Sequence, residues 1–384
     1  MHATLRQLSL GSVTARRALR GTVAAALAAL AAGAPRAAEA QSAPTADSAV
    51  TAALASWIAL PAPPGREHLA TDVIMRTLPG WQRDALGDLV LLRGLRRPPR
   101  VVACALDEAG YAVSEITADG YLRLHEAGRQ RRHPLWNQFH EGQRVLVLTR
   151  RGALPGVIGV RSTHLWRGRG AGDAPASIES FWVELGAHSR AEARAMGVDL
   201  LDPVIRDWPR WTYADLVAGP AAADRAGCAA VAAASAHAPS TGETVYVLSV
   251  QSAFGWGGLS SVLASLGDVD TLTLATARVG DDSDAADAVV RRAIATPFPL
   301  PTGARVGAAV ALTVRARDAG TLVESVRADD AVRYARAVSA AGIGESYAAG
   351  DVPFPTLPAA SILAPRPPRR DSLATTAALL AQLT

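Results

Sequence analysis

Asp107 and Glu108 stand directly behind an apolar run, Val101-Val102-Ala103-Cys104-Ala105-Leu106. Two carboxylates at the end of a buried strand are groups that serve as general acid and base or hold a divalent cation. Adjacent strand residues point to opposite faces, however, which argues against a glycosidase-type acid pair. A second charged pair, Asp224-Arg225, precedes an alanine-rich helical stretch and reads as a structural pair. Asp281, Asp282 and Asp284 have the composition of a calcium loop, yet a solvated loop explains them better. His125, His133, His140, His164 and His188 show no His-x₃-His spacing, and His164 is expected to be structural or exposed. No side chain stands in a recognisable nucleophile–base arrangement.

These residues need elements to position them. The continuous apolar run from Val101 to Leu106 predicts a strand buried on both faces of a parallel sheet. Helices are expected over Val50–Leu60, from near Arg66, and over Ala226–Ala236, Leu259–Leu266, Asp329–Ala341 and Ser372–Leu383. Further strands are expected at Thr244–Val250, Thr271–Ala275, Ala308–Val314 and Ser361–Leu363. Between them, Tyr111–Ile116, Gly120–His125, Arg144–Thr149 and Val157–Val160 read as short strands separated by turns. The fold expected is α/β: a mixed, largely parallel sheet flanked by helices, with a small β-barrel-like domain inserted. The α/β part is assigned to 49–110 and 213–384, and the insert to 111–212.

The chain has 384 residues, enough for two cores, with 49% hydrophobic and 19% charged residues. Arginine supplies all 39 basic residues, since lysine is absent. Arg6, Arg16, Arg17 and Arg20 precede an apolar run from Thr22 to Ala34, and Ala38-Glu39-Ala40 follows. This pattern predicts an export signal over 1–40, a linker over 41–48, and a periplasmic or extracellular mature chain. The apolar run is too short to span a membrane. The signal holds five of the 39 basic and one of the 35 acidic residues, so 34 of each remain. A mature chain without net charge gives no argument for a nucleic-acid partner. Cys104 and Cys228 could pair in such a compartment, but their apolar surroundings favour buried thiols.

Several segments together resemble the tetrahedral, glutamyl-type aminopeptidases, co-catalytic metallopeptidases of zinc-exopeptidase-like fold. Ala62–Glu67 is similar to their "Ala-Pro-Ser-Gly-x-Glu" loop, with Pro64 replacing serine, and Asp84-Ala85-Leu86-Gly87-Asp88 to their "Asp-x-Leu-Gly-Asn" turn. Asp107–Tyr111 with Asp119-Gly120-Tyr121, Gly156–Gly159 with His164, and Leu185–Ala187 with Glu192 fall in the same order. Ala223-Asp224-Arg225-Ala226-Gly227 and Val250-Gln251-Ser252-Ala253 lie in register with two catalytic motifs.

The resemblance implies two divalent ions, a bridging carboxylate and a glutamate base. It also places each ligand. The first histidine falls on Ala105, the bridging aspartate on Ala223, the two glutamates on Ser252 and Ala253, and a later aspartate on Ala275. The terminal histidine falls on Arg370 or Asp371. Alanine has no donor atoms and arginine repels a cation. The expectation is therefore a pseudo-metallopeptidase with no metal or other cofactor. Its vestigial cleft would hold Asp107, Glu108, Asp224 and Arg225, lined by Ala105, Ala223, Ser252, Ala253 and Ala275. Such a cleft could take a peptide, and the insert would make homo-oligomers. The alternative is an active enzyme with two zinc or cobalt ions on a rebuilt set: Asp107, Asp224, Glu184 and Asp371.

Overall fold

The computed structural model describes residues 46–343, apart from 96–97, 129–136, 138–139, 161–176, 208–209, 237–238, 240–241, 278–289, 294–298, 315 and 317–323. The expected export signal, His133, His164, Asp281, Asp282, Asp284, Arg370, Asp371 and the expected last strand and helix lie outside the described residues.

Helix α1 (Ala46–Trp57) buries Val50, Leu54 and Trp57, one stripe at helical spacing. Helix α2 (His68–Ile74) buries Ala70, Thr71 and Ile74. Three strands follow: β1 (Gln82–Arg83), β2 (Leu89–Gly94) and β3 (Arg100–Ala105). Val102 and Cys104 of β3 enter one hydrophobic core, while Val101, Ala103 and Ala105 enter another. The apolar run is thus explained by burial on both faces of the sheet.

Six strands then close into a barrel: β4 (Tyr111–Ile116), β5 (Leu122–Glu126), β6 (Arg144–Thr149), β7 (Gly152–Gly159), β8 (Trp182–Glu184) and β9 (Pro203–Arg206). Neighbours run in the order β4-β5-β8-β7-β6-β9, and the closure removes exposed edges. Leu122, Leu124, Val145, Val147 and Val183 alternate into its interior. An irregularity between Val113 and Glu115 shifts the pairing of β4 and β5 by one residue. It lets Val113 and Ile116 both face inward. Helix α3 (Arg190–Met196), capped by the Ser189 side chain on the Glu192 amide, lies between β8 and β9.

The remaining elements are β10 (Trp211–Tyr213), β11 (Leu216–Gly219), α4 (Ala222–Ala234), β12 (Glu243–Ser249), α5 (Gly257–Leu266), β13 (Asp268–Ala277), β14 (Val290–Ala293), β15 (Arg305–Val314), β16 (Glu324–Arg327) and α6 (Ala328–Ile343). The main sheet has the order β1-β2-β12-β3-β13-β15-β14. Its four central strands are parallel, and the outer pairings are antiparallel. Strands β10, β11 and β16 form a small second sheet. One face of the main sheet packs on α1, α4 and α6, and the other on α5. The mixed α/β sheet with a small barrel is as the pattern predicts. The short strands β10, β11, β14 and β16 are additions to it.

Alanine dominates α4 because the helix lies close against the sheet. A Cβ on Gly227 would come within 2.6 Å of the Ala275 carbonyl oxygen on β13. Only glycine permits that approach. Among the described residues, no helix is long and apolar enough to cross a membrane.

Candidate functional site

The turn that follows β12 is built on buried carboxylates. Four successive amides, Val250 to Ala253, donate to three acidic side chains from distant segments. Val250 N–H donates to Asp88 Oδ1 at 2.7 Å, and Gln251 N–H to Glu67 Oε1 at 2.9 Å. Ser252 and Ala253 donate to the two oxygens of Asp107, at 3.0 and 2.8 Å. Charge-assisted bonds of this kind are stronger than neutral ones and fix the backbone. They are needed, because Gln251 and Trp256 are held at φ of 58° and 61°. Left-handed conformations cost free energy in residues other than glycine and occur where surrounding structure imposes them.

Burial sets the chemistry of these acids. Glu67 is raised above the ordinary carboxylate range, chiefly by desolvation and in small part by Asp107, against the bonds from Gly65 and Gln251. Asp88 is fully buried and pushed up to about 8, again mainly by desolvation. The neighbouring Asp84 adds to that shift, while the Val250 amide opposes it. Asp84 itself accepts from the Leu86, Gly87 and Asp88 amides. Gly258 carries no Cβ that would collide with the Asp88 carboxyl.

Glu108 points elsewhere. Its Oε1 accepts from Ala62 N–H at 3.0 Å, and its own amide donates to the Ala62 carbonyl at 2.9 Å. Asp107 and Glu108 therefore serve two separate loops, in keeping with their opposite directions. Arg225, on the first turns of α4, is 1% exposed. Its Nη2 donates to the Leu60 carbonyl at 2.9 Å, while Nε and Nη1 have no hydrogen-bond partner. Burial lowers its pKa, and Glu108, Asp107 and Asp224 counter that effect in this order. Asp224 acts on Arg225 through its charge, while the guanidinium itself extends to the Leu60 carbonyl.

The structure brings the small residues of the expected cleft together only in part. Ala275 pairs with Cys104 across the β13–β3 ladder and lies against Gly227 of α4. Ala223 shares that core, whereas Ala105 belongs to the core on the opposite face of the sheet. Ala253 sits under the barrel connection, where a Cβ on Gly128 would approach its Cβ and carbonyl oxygen to 2.8 Å. Ala223 and Ala275 are wholly buried, and Ala105 and Ala253 are 5% and 7% exposed. These four alanines are thus buried.

The cysteines also depart from expectation. Cys104 and Cys228 form a disulfide joining β3 to α4, and neither is a free thiol. Apolar surroundings suit either state, and only the approach of the two elements decides between them. The Cys228 sulfur lies 3.2 Å from the Ala105 carbonyl.

Among the described residues, no three His, Cys, Asp or Glu side chains converge where a metal ion could be held. Both Asp107 oxygens are bound to amides, and a buried guanidinium lies within electrostatic reach. This donor set does not fit a pair of divalent cations. Glu184 of the alternative set lies on barrel strand β8. His140 is buried in the barrel, with Nε2 2.9 Å from the Tyr111 hydroxyl and its ring beside Phe181. Glu67 and Asp88 were not singled out by residue type. Their signal lay in the two loop motifs that contain them, and their task is to hold the 250–253 turn.

The M42 glutamyl aminopeptidase family profile matches residues 88–288. The chain is 31% identical over 211 residues to the Escherichia coli protein named "Putative aminopeptidase SgcX", covering 52% of this chain and 55% of that one. It is 30% identical over 145 residues to lysyl aminopeptidase of Pyrococcus furiosus, 36% of this chain and 40% of the relative. The chain thus spans about half the length, or less, of these relatives. The fold is that of the Pyrococcus horikoshii TET1 peptidase, with a TM-score of 0.64 at 19% identity over 76% of this chain and 99% of that one. That protein is described as assembling into a tetrahedron or a large octahedral shell. The profile match takes in β3, the whole barrel, α4 and the carboxylate-bound turn, and the chain belongs to the M42 glutamyl aminopeptidase family.

Proposed function

We propose that this protein is an exported, catalytically silent member of its family that acts through assembly or binding. One observation carries the reading. The positions in register with the family's metal ligands hold alanine or serine, and Asp107 at the end of β3 gives its two oxygens to the amides of Ser252 and Ala253. Ala105, Ala223, Ala253 and Ala275 around it add no donor atoms, and Ser252 offers only a poor one. Hydrolysis by a two-metal mechanism needs several such donors at about 2 Å from each ion. Coupled catalytic groups fail together, so residual turnover by that route is not expected.

The barrel is proposed as the homo-oligomer interface, a reading supported by the assembly described for the TET1 peptidase. Export is supported by the Arg-rich, apolar and Ala38-Glu39-Ala40 pattern, and a disulfide suits an oxidising compartment.

The test is metal content and turnover on the same purified protein. Less than one zinc, cobalt or manganese per chain and no hydrolysis of aminoacyl-p-nitroanilides are expected. Stoichiometric metal with chelator-sensitive turnover would overturn the proposal. Light scattering should give a mass of several chains, and a clean monomer would remove the role given to the barrel.

A further inference from the structure

The Cys104–Cys228 disulfide joins the two segments that carry Asp107 and Arg225. Cys104 precedes Asp107 by three residues, and Cys228 follows Arg225 by three on the same helix. Both cysteines are fully buried, and the bond spans 124 residues of sequence.

At the contact itself the side chains are small, although the helix belongs to the large core that includes Val102, Leu106 and Tyr334. Where α4 meets β3 and β13, the facing side chains include Ala223, Ala226, Ala275 and the bare backbone of Gly227. Small side chains bury little apolar surface each, so their contribution is modest. The start of α4 is strained as well, with Ala221 held at φ of 51°. Above all, the first turns of α4 carry Arg225, whose guanidinium is buried with two nitrogens unpartnered. Water would satisfy those donors. Glu108, Asp107 and Asp224 offset part of the cost of burying this charge, and the two unbonded nitrogens still favour a hydrated position for the helix turn.

We propose that the disulfide is a redox-sensitive strap on this site: intact, it holds α4 against β3 and keeps Arg225 buried; reduced, it frees the first turns of α4 and exposes Arg225. A dithiol such as dithiothreitol supplies the two electrons and two protons. The S–S bond breaks, two thiols form on Cys104 and Cys228, and the reductant closes to its cyclic disulfide. The strap acts whether or not the protein is catalytic, so it does not depend on the proposed function.

The experiment is hydrogen exchange with mass spectrometry on the whole folded protein, with and without dithiothreitol. Barrel peptides serve as the internal reference. Reduction is expected to speed exchange at least tenfold over residues 222–228 while the barrel stays unchanged. It should also make the Arg225–Ala226 bond a new site for trypsin. Loss of a cross-link spanning more than 100 residues should lower the melting temperature by roughly 10 °C. An Arg225→Met variant removes the buried charge, and after reduction its 222–228 segment should exchange nearly as slowly as in the oxidised protein. Two titratable thiols in the denatured, unreduced protein would overturn the proposal. So would a melting shift with no change at 222–228, since the bond would then stabilise the fold without controlling the site.

Discussion

Inside the barrel, Leu122, Val147, Ile158 and Phe181 pack side chain against side chain, and the hydrophobic effect does most of the holding. At the end of the main sheet, the space between β3 and α4 is filled by alanines, a glycine and a disulfide, beside buried acids and a buried arginine. The first region tolerates no lost volume, and the second no added volume. Such a division teaches where each kind of substitution should register.

The largest effect expected is in the barrel. Phe181→Ala removes a wholly buried ring and should cost about 3–5 kcal/mol in urea unfolding. Trypsin susceptibility at Arg225 should stay as in the parent; a new cut there would mean that the two regions do not hold independently. At the sheet end, Gly227→Ala puts a Cβ 2.6 Å from the Ala275 oxygen, too close to be accommodated without moving α4. A loss of about 1–3 kcal/mol is expected. A neutral result would show that α4 slides on the sheet, and with it that packing does not set the depth of the helix.

The smallest effect concerns charge and depends on pH. Asp88 is pushed up to about 8 in the folded protein, against 3.8 ordinarily, because burial disfavours its anion. Folding then binds a proton between these values, so stability falls as pH climbs from about 4 to about 8 and changes little above. An amide in the same place keeps the acceptor for Val250 and offers N–H to Asp84 without ionising. Asp88→Asn should therefore match the parent near pH 4 and exceed it by about 1–2 kcal/mol at pH 8.5. Urea unfolding at the two pH values checks this, and a difference independent of pH would show that Asp88 is already ionised in the fold.

Much of this architecture could be read from local pattern. The apolar run at β3 and the alternation along β4, β5 and β6 follow directly from periods set by the backbone. Strands β10 and β14 were missed because each is only three or four residues long and half polar. Their pairing comes from the partner strand rather than from their own composition. At the site, the motifs placed Glu67, Asp88 and Asp107 in the right loops without revealing what they bind. The acceptor of an amide at Ser252 lies 145 residues away, at Asp107. Nothing in a window around either residue specifies that meeting.

The sequence by itself determined the element types, the family and the alanines at positions 105, 223, 253 and 275, because these depend on residue identity and short-range period. Tertiary structure alone decided that those alanines are buried, that Cys104 meets Cys228, and that Arg225 reaches the Leu60 carbonyl. Each of these depends on how closely α4 approaches the sheet, to within a fraction of an ångström at Gly227. That distance is fixed by the sum of many contacts across the core, and no local stretch of sequence contains it.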